Sequence, residues 1–230
     1  MRSISLHPWN LSLEQAVAVQ RDLASKVRKV NRLPAHITHI AGTDVSGVDK
    51  DGEVRAVVVV LAYPGLKVVE VASARERPAF PYVPGFLSFR ETPILLKAFE
   101  QLKLTPDLII VDGQGTAHPR RFGIACHLGL LLDAPTIVCA ESILTGRYGR
   151  LSNAKGSTAP LMDKGEVIGS AVRTRDGISP VYVSPGHHID MPTAVEWVLN
   201  CGKGYRLPEP TRLAHHTATT LLKDGASRLL

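Results

Sequence analysis

The chain has 230 residues, 44% apolar and 5% aromatic, with a formal net charge of +6 and a pI near 9.4. That is ample apolar material for one core of Val, Leu, Ile and Ala. No apolar run approaches the roughly 20 residues that span a bilayer, and the N-terminus shows no apolar leader, so neither a membrane-spanning helix nor a signal peptide is expected. Cys126, Cys139 and Cys201 lack metal-ligand spacing and lie in apolar patterns, so they read as reduced core residues of a cytoplasmic protein, while the basic balance favours a polyanionic partner.

Residues 1–11 read as an irregular lead-in. Ser12 and Gln15 have capping-box spacing, and Leu13, Val17, Leu23 and Val27 form a helical stripe to about Val30, with Arg21, Lys26, Arg28 and Lys29 on its solvated side. Residues 31–34 close that helix. Strands are expected over 37–45, 54–63 and 66–74, joined by turns at 48–52 and at Pro64-Gly65, and such short links make an antiparallel meander. Residues 78–85 form a loop with three prolines and two aromatics. A helix follows over 88–103, with Pro93 tolerated as a first-turn residue.

Leu108 to Val111 make a short apolar run that suits a strand buried on both faces. Then come a helix over 123–132 and a strand over 135–139. The polar stretch 141–162, rich in Gly, Ser and Arg, reads as a mobile surface loop. Strands over 166–174 and 180–184 and helices over 192–201 and 211–223 complete the chain, with 216–230 as a helical or frayed tail. The order predicts an α/β protein: one domain over 1–230, with a mixed sheet flanked by helices.

Chemistry concentrates at the strand ends. Aspartate is disfavoured in strands, yet Asp44 lies near the end of the first and Asp112 ends the fourth. If those strands are neighbours, the two carboxylates converge and repel, which a divalent cation with hard oxygen ligands resolves; Mg²⁺ or Mn²⁺ fits. Glu91 is a third candidate, or else a first-turn residue favoured by its helix dipole. After Asp112, Gly113 and Gly115 clear side chains from the backbone, and His118, Arg120 and Arg121 add polar and cationic groups, an arrangement suited to a metal beside a phosphate. The bland alternative is a strand ending in a glycine turn. Tyr82, between Pro81 and Pro84, is either a stiff wedge for a base stack or a core tyrosine. Of the pairs His187-His188 and His215-His216, at most one member each would face a site.

Taken together, several segments resemble the endonuclease V family of metal-dependent nucleases acting at deaminated purines. They are Ala-Gly-Thr-Asp-Val-Ser at 41–46, Pro-Tyr-Val-Pro-Gly-Phe-Leu-Ser-Phe-Arg-Glu at 81–91, Val-Asp-Gly-Gln-Gly-Thr-Ala-His-Pro-Arg-Arg at 111–121, Ser-Pro-Gly-His at 184–187 and Tyr-Arg-Leu-Pro-Glu-Pro-Thr-Arg-Leu-Ala-His at 205–215. The resemblance implies a ribonuclease H-like fold and a monomer acting on inosine-containing DNA or RNA. It implies cleavage of the second phosphodiester bond 3′ to the lesion, with 3′-hydroxyl and 5′-phosphate products. Asp44 and Asp112 would hold Mg²⁺ directly, with Glu91 and His215 supporting its water shell. Tyr82 would be the wedge. Pro84, Gly85, Gly113, Gln114 and Gly115 would line the pocket for the displaced base, with His118, Arg120 and Arg206 among the substrate contacts. One departure stands out: where the family carries a lysine after the following strand, this chain has Glu141. That motivates a second expectation, an altered or uncatalytic inosine-binding protein. A third, a small phosphate ester as substrate, is disfavoured because such a substrate needs no wedge.

Overall fold

The structure, a computed structural model, describes residues 1–224. Apolar alternation builds its centre. In β2 (Val54–Ala62), Val54, Ala56, Val58 and Val60 face one side while Val57, Val59 and Leu61 face the other, so this strand needs cover on both faces. It pairs antiparallel with β1 (His39–Val45) and β3 (Lys67–Glu76). β4 (Leu108–Val111) and β5 (Thr136–Ala140) add to β1 in parallel, and β8 (Val181–His187) returns antiparallel to β5. With β6 (Thr158–Asp163) and β7 (Glu166–Val172), the eight-stranded sheet has the order β3-β2-β1-β4-β5-β8-β7-β6.

Two helices cover each face. α2 (Leu87–Glu100) and α3 (Ile124–Leu132) bury Leu95, Phe99 and Leu128 against Val58, Ile109 and Val138. α4 (Met191–Asn200) and α5 (Glu209–Asp224) bury Val198, Ala214 and Ala218 against Val59, Leu108 and Ile110. Gly42 lets α5 start directly on β1, since a Cβ there would lie 1.9 Å from the Pro210 carbonyl oxygen. α1 (Leu13–Ala24) packs outside this frame, with Leu23 against Phe122 and Cys126, and Ala16 near Phe80, Phe86 and Phe89. All three cysteines are buried free thiols.

Several expectations need correction. The Ser12–Gln15 capping box forms, but α1 ends at Ala24, not near Val30. Beyond it the backbone is taken up elsewhere: the Arg28 amide donates to His187 Nδ1 at 3.2 Å, and the Arg28 carbonyl accepts from the His188 amide at 2.7 Å. The buried face of α1 is Ala16, Gln20 and Leu23, whereas Leu13 is exposed. α2 starts at Leu87, so Pro93 lies in its second turn and Glu91 lies beyond the first, which removes the helix-dipole reading of Glu91. The end of the supposed loop 141–162 is β6, whose Ala159 and Leu161 alternate into the core around Pro160. β8 runs on through Pro185 and Gly186 to His187. Of the expected tail, 225–230 lies outside the described residues.

Candidate metal and nucleic-acid site

Strand register brings the carboxylates together. Thr43 of β1 stands opposite Val111 of β4 in a parallel pair, so Asp44 and Asp112 are the next residues on strands about 5 Å apart. By alternation they continue the face that Ile40 and Ile110 turn to α5. From α5, His215 Nδ1 lies 3.0 Å from Asp44 Oδ2. His216 is one position off and points elsewhere on the helix.

The electrostatics are those of crowded anions. Burial pushes the Glu91 carboxyl up to about 8, and the charges of Asp44 and Asp112 push the same way. Asp112 is open to solvent on one side, but the crowding protein on the other raises it to about 6, with Asp44 and Glu141 adding to the rise. Burial raises Asp44 as well, opposed by the nearby His215. Among the described residues neither Glu91 nor Asp112 has an ion-pair partner. Clustered oxygen donors that repel one another, two of them without an ion-pair partner, suit a hard divalent cation.

A second group of close donors, Asp133, His187 and His188, sits at the opposite end of the strands, where His187 pairs with Thr136 at the start of β5. Its chemistry is different. His187 Nδ1 accepts the Arg28 amide, which leaves the ring proton on Nε2 and no lone pair there for a cation. His188 Nε2 lies 2.9 Å from Asp133 Oδ1, and Asp133 is the C-cap of α3. This is a hydrogen-bonded helix cap.

Beside the carboxylate edge lies a cavity of about 240 Å³. That is smaller than the roughly 300–1,000 Å³ of drug-sized ligand pockets and suits one flat ring system. Pro84, Gly85, Gly113, Gln114 and His118 line it, and Tyr82, 73% exposed, stands at it rather than in the core. Gln114 is steadied by a 3.2 Å hydrogen bond from its Nε2 to the Ser142 carbonyl. Gly115 lies behind the cavity, not on it: its amide donates to Ser184 Oγ at 3.2 Å.

The arginines are committed to protein partners. Arg121 pairs with Asp163 and Glu166. Arg120 Nη2 donates to the Gly85 carbonyl at 2.7 Å, its Nε donates to Gln20 Oε1, and its guanidinium lies 4.5 Å from the Phe86 ring centre. His118 Nδ1 accepts the Arg120 amide while Nε2 donates to Gly85; burial holds its pKa down at about 4, so the ring is neutral near pH 7. Arg206 donates to the carbonyls of Ser179, Pro180 and Glu141 and to Glu141 Oε1 at 3.1 Å. It staples the end of β5 to the start of β8 and partly neutralises Glu141, which lies near enough to raise both aspartates. Gln20 escaped the sequence reading. Its signal was a polar residue on an apolar helical stripe, four after Ala16 and three before Leu23.

Known proteins resemble this chain in sequence and fold. The family model described as endonuclease V matches residues 21–216. Endonuclease V of Gloeobacter violaceus is 53% identical over 224 residues, spanning 96% of this chain and 91% of the relative. That of Myxococcus xanthus is 51% identical over 220 residues, spanning 94% and 93%. The crystal structure of endonuclease V from Streptomyces avermitilis superposes with a TM-score of 0.90 at 40% identity, covering 98% of this chain and 99% of that one. Endonuclease V of Ciona intestinalis, solved in complex with a 24mer DNA containing an inosine followed by a ribo-adenosine, superposes with a TM-score of 0.81 at 26% identity, covering 93% and 99%.

Proposed function

The chain belongs to the endonuclease V family, and from that premise we propose that it binds inosine in its pocket and hydrolyses the second phosphodiester bond on the 3′ side, leaving 3′-hydroxyl and 5′-phosphate ends. It is a metal-dependent endonuclease of DNA repair that acts at deaminated purines, built on a ribonuclease H-like sheet. The observation that carries the proposal is one juxtaposition: a base-sized cavity begins at Gly113, the residue after Asp112. A base held there brings phosphates of its strand close to the carboxylates.

On this reading Asp44 and Asp112 would hold Mg²⁺, with Mn²⁺ as a substitute, and Glu91 and His215 would support its water shell. Such a cation would supply a water of lowered pKa and stabilisation of charge on the phosphate and the leaving oxygen. His215 orients Asp44 through their 3.0 Å contact. Inosine differs from adenosine at O6 and N1–H, on the pairing edge, so the base must leave the stack to be read. Tyr82 fills the gap it leaves, and the backbone around Gly85 and Gly113 lines the pocket that receives the base. The protein acts as a single-domain monomer in the cytoplasm. No helix among the described residues is long and apolar enough to cross a membrane.

Tyr82→Ala tests the wedge. Stacking on one aromatic contributes roughly 1–3 kcal/mol, so binding to an inosine strand is expected to weaken about fivefold or more, with little change on a plain strand. The thermal midpoint should hold, because the side chain is exposed. Filter binding with inosine-bearing DNA and RNA of one sequence measures this and shows which sugar is preferred. Equal losses on marked and plain strands would remove Tyr82 from lesion recognition.

A further inference from the structure

The Gly85 carbonyl is the most heavily hydrogen-bonded acceptor at the pocket. Three donors converge on it: Gln20 Nε2 at 3.0 Å, His118 Nε2 at 3.0 Å and Arg120 Nη2 at 2.7 Å. A carbonyl oxygen has two lone pairs, so three donors saturate it. The donors also hold one another. Gln20 Oε1 accepts from Arg120 Nε, and His118 Nδ1 accepts the Arg120 amide. Gln20 is fully buried, and its Nε2 also lies 3.3 Å from the Phe122 carbonyl.

The peptide they grip is an unusual one. Gly85 has φ +82°, in the left-handed region, and a Cβ there would sit 2.9 Å from Arg120 Nη2. The next amide, Phe86 N–H, donates to the Val83 carbonyl at 3.0 Å, which closes the turn that follows Tyr82. A glycine peptide flips easily unless held, and a flip here would break these hydrogen bonds and reshape the wall that a base meets.

We propose that Gln20 is a positioning residue for base recognition: from α1 it locks the Gly85 peptide, which shapes the wall of the pocket that takes the inosine. Gln20 touches no substrate and acts only through Gly85 and Arg120. This rests on the pocket being the base site, as proposed above.

Gln20→Glu separates the two halves of the contact. The Glu side chain keeps an oxygen for Arg120 Nε but replaces the donor to Gly85 with an acceptor; Gln20→Ala removes both. The experiment measures kcat/KM on a strand with one inosine, and the inhibition constant of an unmodified competitor strand, for wild type and both variants. Loss of a buried hydrogen bond of this kind predicts a fall in kcat/KM of about tenfold in Gln20→Glu and at least as much in Gln20→Ala. The competitor constant should stay within about twofold of wild type, since general strand binding runs through the phosphates. The proposal is overturned if Gln20→Glu keeps wild-type kcat/KM, or if the competitor constant worsens in step, which marks a general loss of structure. If wild type itself leaves the inosine strand uncut, it is the assignment of function that fails.

Discussion

Asp112→Asn is expected to abolish cleavage, by at least about a thousandfold, exceeding the roughly 10–100-fold cost of losing an outer-sphere partner of a metal. Asn keeps the shape of Asp112 but brings a weaker, neutral oxygen to the place where β1 and β4 converge. The fold should not suffer. The Asp112 carboxyl is raised to about 6 because its charge is resisted by burial and by Asp44, so a neutral side chain relieves strain. The thermal midpoint without cation should equal or exceed that of wild type, and the midpoint gain on adding Mg²⁺ should disappear. Asp133→Asn, at the histidine-rich far end of the strands, is the matched control and should cleave normally. An active Asp112→Asn would remove the carboxylate pair from the chemistry.

The second large effect is a reversal of pH dependence by the cation. Glu91 and Asp112 stand at about 8 and about 6 in the fold against ordinary values of 4.5 and 3.8. The folded chain therefore holds these protons more tightly than the unfolded chain does. Their contribution to stability is greatest below the ordinary values, falls as pH rises through the interval up to about 8, and levels off above it. A divalent cation needs the deprotonated carboxylates, so its stabilisation grows over the same interval. Thermal midpoints at about pH 5 and about pH 9, with and without excess Mg²⁺, should show a Mg²⁺ increment that is small at the lower pH and large at the higher. In Glu91→Gln the fall above about pH 6 without cation should flatten, because Asp112 has by then given up its proton. An increment equal at both pH values would mean that the cation binds elsewhere.

Much of this was legible in the chain. The alternating valines of β2 and the short run Leu108 to Val111 identified core strands, and aspartates at two strand ends stood against strand preference, which is why they pointed to a cation. What stayed hidden depends on partners far apart in sequence. The early end of α1 follows from backbone bonds of Arg28 to His187 and His188. β6 was masked by Pro160 and by the Gly- and Ser-rich stretch before it. Arg120 and Arg121 announced charge but not destination; one holds Gly85, the other Asp163 and Glu166. The weight of Glu141 was also invisible in part. An anion at that position would repel a phosphate, yet Arg206 shares its charge while leaving it near Asp44 and Asp112.

The most direct test of the central claim is the position of the cut. A labelled strand with one inosine, incubated with Mg²⁺ and run beside a sequencing ladder, should show a single product ending in a 3′-hydroxyl one nucleotide beyond the inosine's own 3′ bond. The band should be absent with chelator and with Asp112→Asn. A cut at the inosine's own bond, at unmodified positions, or without a divalent cation would contradict the pairing of this pocket with these carboxylates. An uncut strand still bound selectively at inosine would leave the pocket a reader of the base and take the catalysis away from the site.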